Sequence, residues 1–236
     1  MPADGAGAVA GAGPAQAIAL EGVERRYGER VALSGVTVSV PTGATLAVFG
    51  SNGAGKTTLL RILAGLLRPH GGTATVLGST LPKDAWKTRA QVGYLAHDPL
   101  LYRDLSVEEN LRFHARLHRV DASRVTELID QVGLTRRAHD PVKELSKGLV
   151  QRAAVARALL HDPPVLLLDE PRANLDPRAA EQLEPLIGRA SKRTRVLVSH
   201  DIETTLAEAD LALGLRAGAQ QFAERAELAR VRQLYK

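Results

Sequence analysis

Residues 50–57 read GSNGAGKT, which fits the pattern G-x-x-x-x-G-K-[ST]. The pattern follows the run ATLAVF (Ala44–Phe49), whose LAVF end is wholly apolar, as expected of a strand buried on both faces. After it come Leu59, Leu60, Ile62, Leu63, Leu66 and Leu67, a broad apolar face at helical spacing, so a helix is predicted over Thr57–Leu67. A strand, a glycine-rich turn and a helix in that order form an anion cradle. Glycines let the backbone wrap tightly, successive N–H groups point into one concavity, and the helix adds its positive end. Gly50, Ser51, Asn52, Gly53, Ala54, Gly55, Lys56, Thr57 and Thr58 are therefore the candidate phosphate-binding residues. Lys56 carries a full charge for β- and γ-phosphates, and the Thr57 hydroxyl suits Mg²⁺.

A metal–nucleotide site also needs an acid. VLLLDE (Val165–Glu170) ends a second buried run with two carboxylates. In open α/β sheets, ligands sit beyond the carboxyl ends of the strands. Asp169 is then the residue to meet Mg²⁺. Strand alternation sends Glu170 to the opposite face, where it can orient or deprotonate a water.

The rest of the chain supports one α/β domain. Thr73–Leu77, Gln91–Leu95 and Arg195–Ser199 read as further strands. Between Leu95 and Pro163 no strand is evident, and three helices are expected. The first opens on a Ser106/Glu109 capping box, the second covers Ser123–Val132 with Gly133 as its cap, and the third covers Ser146–Leu160. An α/β core with a helical insert at about 96–158 follows. His114 and His118, spaced i, i+4, lack the Glu of a zinc-peptidase motif and are expected on an exposed helix face.

Composition narrows the function classes. With no cysteine, disulfide scaffolds, zinc ribbons, iron–sulfur sites and thiol nucleophiles are excluded. Aromatic residues at 3% argue against a base-stacking module. The net charge of +5 is spread along the chain. Its densest clusters, Arg25–Arg26 and Lys192–Arg193–Arg195, are too short for a nucleic-acid tail and read as solvated surface, so no nucleic acid is expected as partner. No stretch reaches the run of ~18 apolar residues of a membrane span. The Ala/Gly-rich start has Asp4 where a signal peptide would be basic, and residues 1–16 are expected to be a disordered leader.

Taken in order, these motifs resemble those of ABC-type ATPases, the nucleotide-binding subunits of ATP-binding-cassette transporters, over nearly the whole chain after the leader. The resemblance implies a P-loop NTPase (RecA-like) core with a helical insert and an N-terminal antiparallel β region, forming a single ATPase domain over 17–236. Walker A is then Gly50–Thr57, and Walker B is Val165–Asp169, followed by the catalytic Glu170. The D-loop resembles Ala173–Asp176, the switch histidine His200, and the adenine-stacking aromatic Tyr27. The family signature appears altered as LSKGL (Leu145–Leu149), with Ser146 and Gly148 at a helix start. In the family that signature faces the γ-phosphate held by another subunit, which implies a head-to-tail dimer with two ATP molecules between subunits; Asp176 joins that interface.

His97 stands where the family has a hinge Gln that senses Mg²⁺ and the γ-phosphate, and imidazole can still ligate; Asp98 is the alternative sensor. Lys147 and Leu149 replace the usual Gly and Gln, and Arg172 after DEP is also unusual. The implied cofactors are ATP and Mg²⁺. The implied partners are a second ATPase subunit and a separate membrane permease gripped around His97–Arg119, which places the protein in the cytoplasm against the inner face of the cell membrane. The segment Gly93–His118 is similar to that of the haem exporter of cytochrome c maturation. The alternatives are a soluble ABC ATPase acting on ribosome or DNA, and a non-hydrolysing nucleotide switch.

Overall fold

The computed structural model describes residues 15–225 and 227–235. Its centre is a set of short strands that are buried along almost their whole length: β3 (Thr45–Phe49), β6 (Val92–Leu95), β7 (Val165–Asp169), β8 (Thr194–Val198) and β9 (Leu211–Arg216). They pair in parallel in the order β9-β3-β8-β7-β6. Strands buried on both faces need an apolar partner for each set of alternating side chains. In β7, Val165 and Leu167 enter one core with Leu59, Leu60, Ile62 and Leu63 of α1 (Lys56–Leu63). Leu166 and Leu168 enter a second core made by α3 (Val107–His118), α4 (Ala122–Gln131), α5 (Lys147–Leu159) and α6 (Pro177–Ile187). Ala47 and Phe49 of β3 meet a third, smaller core with Val231 of α8 (Leu228–Gln233), against which α7 (Ile202–Glu208) packs.

The sheet continues into an antiparallel wing. β1 (Gln16–Tyr27) pairs with β2 (Arg30–Pro41) and with β4 (Gly71–Val76), and β5 (Ser79–Leu81) closes the edge ahead of α2 (Ala85–Arg89). β10 (Ala219–Glu224) returns antiparallel to β9 and touches β2 through the Ala219–Ser34 bridge, so core and wing form one ten-stranded sheet. This is the expected α/β core with an N-terminal antiparallel region. Among the described residues no helix is long and apolar enough to cross a membrane.

Several boundaries differ from the sequence reading. α1 ends at Leu63, not Leu67: Gly65 closes it, the amides of Leu66 and Leu67 turn back to the Arg61 carbonyl, and Leu66 is left exposed. α4 starts one residue early, because the Asp121 carboxylate accepts the Ser123 N–H at 2.8 Å. The Ser106/Glu109 capping box forms as expected, with bonds of 2.8 and 3.2 Å. The expected leader over 1–16 lies, as far as residue 14, outside the described residues; Gln16 opens β1. Arg195, expected in a solvated basic cluster, is interior at 1% exposure, because it sits in the middle of the sheet on β8.

Candidate functional site

The phosphate loop is held from behind by neighbouring backbone. Gly50 (φ 150) and Gly55 (φ 109) are both in positive-φ conformations. A Cβ on Gly50 would lie 2.3 Å from the Leu215 carbonyl oxygen of β9, and one on Gly55 the same distance from that of Ala32 in β2. Only glycine fits either place. No side chain caps the first turn of α1, and that turn holds no acid, so its free amides face the loop concavity.

Lys56 folds back across the loop, and its Nζ donates to the carbonyls of Gly50 (2.6 Å) and Ser51 (3.1 Å). Burial lowers the pKa of its ammonium, while Asp169 and Glu170 pull it back up. The Thr57 hydroxyl donates to Asp169 Oδ2 at 3.0 Å. Burial raises the Asp169 carboxyl above the usual carboxylate range, against the opposing pull of Thr57, His97 and Lys56.

Glu170 departs from the strand alternation expected of it. β7 stops at Asp169, and Glu170 takes left-handed backbone (φ 55), which swings its carboxylate into the same cleft as that of Asp169. Its Oε2 accepts from the Ser199 hydroxyl at 3.3 Å, and His200 Nε2 stands 3.6 Å from Oε1. Oε1 is buried without a hydrogen-bond partner among the described residues.

One cleft of about 510 Å³ gathers Tyr27, Asn52, Gly53, Gly55, Lys56, Thr57, Thr58, His97, Asp169, Glu170 and His200. Gly50 and Ser51 contribute through their carbonyls to Lys56 instead. Ala54 is packed into the core. Tyr27 ends β1 half exposed, with the Arg25 guanidinium 4.9 Å from its ring centroid. Arg30 and Arg61 also line the cleft. The sequence reading missed both, although Arg30 lies three positions beyond Tyr27 and Arg61 one helical turn beyond Thr57.

A second cavity of about 750 Å³ shares His97, Asp169 and Glu170 with the first and runs past Asp98 and Lys147 to Asn174.

Beyond Gly50, Ser51 and Ala54, three more expected site residues, Ser146, Gly148 and Asp176, do not line this chain's own cleft. Ser146 caps α5, accepting the Leu149 N–H at 3.4 Å. At Gly148 the α5 backbone comes so close to the next loop that a Cβ would lie 2.7 Å from the Asn174 carbonyl oxygen. Asp176 caps α6, accepting the Ala179 N–H at 2.9 Å.

His114 and His118 are not the exposed pair expected. α3 turns them inward, where His118 stacks on His161 at 4.1 Å and burial pushes His114 down to about 4. Among the described residues no group of three or more His, Asp or Glu is set to hold a metal ion unaided.

Comparison with known proteins places this geometry. The sequence profile of the ABC transporter family matches residues 33–173. A Nod factor export ATP-binding protein of Ralstonia nicotianae is 38% identical over 201 residues, which cover 82% of this chain and 62% of that protein. A phosphonates import ATP-binding protein of Anaeromyxobacter dehalogenans is 36% identical over 94% of this chain and 48% of its own length. The chain thus spans between about half and three fifths of these curated relatives. Among solved structures, an ATP-binding subunit of an ABC transporter superposes with a TM-score of 0.83 at 26% identity, covering 93% of this chain and 99% of the other. A dimeric ATP-binding cassette bound to ADP and Pi in a post-hydrolysis state gives 0.79 at 25% identity, covering 89% and 100%. The matched profile spans the loop that cradles Lys56, the acidic pair at the end of β7 and the capped start of α5, and the chain belongs to the ABC transporter family.

Proposed function

We propose that this chain binds ATP with Mg²⁺ and hydrolyses it to drive a membrane permease, as one of two subunits that close head to tail. The observation that carries this reading is the buried Oε1 of Glu170, which accepts no hydrogen bond among the described residues and stands 3.6 Å from His200 Nε2, in the same cleft as Lys56 and the Thr57–Asp169 pair. Thr57 and Asp169 offer hard oxygen donors of the kind Mg²⁺ takes alongside phosphate oxygens, so the residues fit the ion, and His97 lies within reach of the same cleft. When bound, the ion neutralises charge on the β- and γ-phosphate oxygens.

The chain's own residues do the rest. The loop amides and the Lys56 ammonium hold the polyphosphate, Lys56 exchanging its two loop carbonyls for phosphate oxygens. Tyr27, with Arg25 behind its ring, offers a face to the base. The free Glu170 oxygen orients a water and receives its proton as the water oxygen bonds to the γ-phosphorus and the bridging P–O bond breaks. His200 steadies that carboxylate and contacts the γ-phosphate.

Ser146, Gly148 and Asp176 serve the cleft of a second copy, consistent with their absence from this one. The segment 96–158 works as a helical subdomain within a single ATPase domain of 17–236. Its exposed Leu100, Tyr102, Phe113 and Leu117, with Tyr102 edge-on to Phe113, are the face that grips the permease at the inner membrane surface.

The relatives named above handle different cargo, Nod factor outward and phosphonates inward. Haem export is the narrower reading and rests on the resemblance of Gly93–His118 alone. It is checked by whether haem raises turnover in membranes that hold the cognate permease.

The central test is phosphate release with Mg²⁺ and ATP. Glu170→Gln lowers turnover by roughly 10²–10⁴-fold while ATP binding persists, and a dimer accumulates. A variant that turns over like the parent overturns the assignment of the base.

A further inference from the structure

Arg172, Glu208 and Arg195 form an ionic cluster that no step above uses. Arg195 is the most buried member, with its side chain 2% exposed on β8. Its Nε donates to Thr45 Oγ1 (3.1 Å), and its Nη1 donates to the Ile187 carbonyl (3.1 Å) and to Glu208 Oε2 (3.0 Å). The other oxygen of Glu208 pairs with Arg172, whose guanidinium also holds Glu184 Oε2 at 2.7 Å. One carboxylate, itself only 15% exposed, thus pairs with the buried Arg195 on one side and with the one-third-exposed Arg172 on the other.

The members stand at the roots of the catalytic loops. Thr45 opens β3, which runs into the phosphate loop; Arg195 lies on β8, which runs to His200. Glu208 is the last residue of α7, the seven-residue helix that starts just after His200 with Asp201 as its cap. Arg172 lies two residues beyond Glu170. Glu170 is held in left-handed backbone, which a glutamate keeps only when its surroundings impose it. Its backbone is gripped on one side by Val198, whose carbonyl accepts the Glu170 N–H, and on another by Gln151, whose amide donates to the carbonyls of Glu170 and Pro171. Arg172 supplies the grip from the side of α6 and α7, and its charge also reaches Asp201.

We infer that Arg172 is a positioning residue for the candidate base: clamped by Glu208 and Glu184, it closes a ring through α7 that fixes the Glu170 carboxylate against His200. The inference rests on the reading of Glu170 as the base. It concerns kcat and not nucleotide affinity, because Arg172 is not part of the lining of the nucleotide cleft.

The test is steady-state ATP turnover and ATP binding for the full chain and for Arg172→Met, which leaves the Arg195–Glu208 pair intact. The expected result is kcat about tenfold or more below the parent, with KM and ATP affinity within about twofold, since a small misplacement of a reacting group costs rate and not binding. Arg172→Lys, which restores a single charged contact, recovers part of the lost kcat. A kcat within twofold of the parent overturns the inference, as does a fall in kcat and affinity together with the melting temperature, the mark of a purely structural role. If Arg172→Met does not fold, Arg172→Lys and Glu184→Gln decide by the same criteria. Failure of the underlying reading has a separate signature: Glu170→Gln itself would turn over normally.

Discussion

His97 shows how much a single position can change without altering the frame around it. It follows β6 at the hinge between sheet and helical segment, and it lines both cavities. Its side chain is exposed, and no hydrogen bond ties it to a neighbour among the described residues. Burial pushes the nearby Asp169 carboxyl toward protonation, and His97 is among the groups that oppose this. Replacing His97 by glutamine keeps a polar group at the hinge. His97→Gln is therefore expected to keep ATP turnover within about tenfold of the parent, no more than ~1.4 kcal/mol in barrier. Complete loss of turnover would mean that the imidazole itself does chemistry that an amide cannot. Asp98 is the weaker candidate for the sensing role, because it lines only the second cavity.

At the scale of elements, α3, α5 and β6 enclose a histidine seam whose behaviour with pH follows from burial. His114 and His118 of α3 and His161, just after α5, surround Arg157, whose guanidinium donates to the Tyr94 carbonyl at 2.6 Å. Burial pushes His114 and His161 down to about 4. Arg157 and the neighbouring His118 add to the shift, while the Val92 carbonyl and Asp162 oppose it at His161. At these two histidines the folded chain thus binds fewer protons than the unfolded one between about pH 6.5 and 4. Their contribution leaves stability intact above pH 6.5 and lowers it as pH falls toward 4. Urea midpoints across that range are expected to drop on acidification, and to drop less when His161 is replaced by Gln; a midpoint indifferent to that replacement would remove the seam from the account.

Sequence periodicity could not have found this seam. Spacing put His114 and His118 on one helix face, but only the packing of α5 against β6 decides that the face is inward. The phosphate loop and the end of β7 were legible for the opposite reason. Their chemistry is local, written in a glycine-rich turn between an apolar strand and an apolar helix. Arg195 and Glu208 were illegible because their pairing joins a strand to the far end of a later helix, and a lone arginine in a basic stretch reads as surface.

For the whole molecule, the decisive fact is a division of parts. The loop, the acids and His200 face one cleft, while the capped start of α5, with Ser146 and Gly148, is no part of its lining. A helix start of that kind is well suited to bind an anion. If a second copy supplies the anion, catalysis is bimolecular in this chain, because each working site takes its loop from one copy and its Ser146 from another. Turnover per chain is then expected to fall on dilution and to rise toward a plateau as chains pair, with ATP promoting the pairing. Substituting arginine for Ser146 places a bulky side chain at the contact without touching Lys56, Asp169 or Glu170. It should leave ATP binding to the isolated chain within about twofold, since that cleft is intact, and flatten turnover at every concentration. Activity per chain that stays constant across a hundredfold dilution, with a mass by light scattering that remains monomeric in the presence of ATP, would show that one chain completes its own site and that the capped start of α5 has another role.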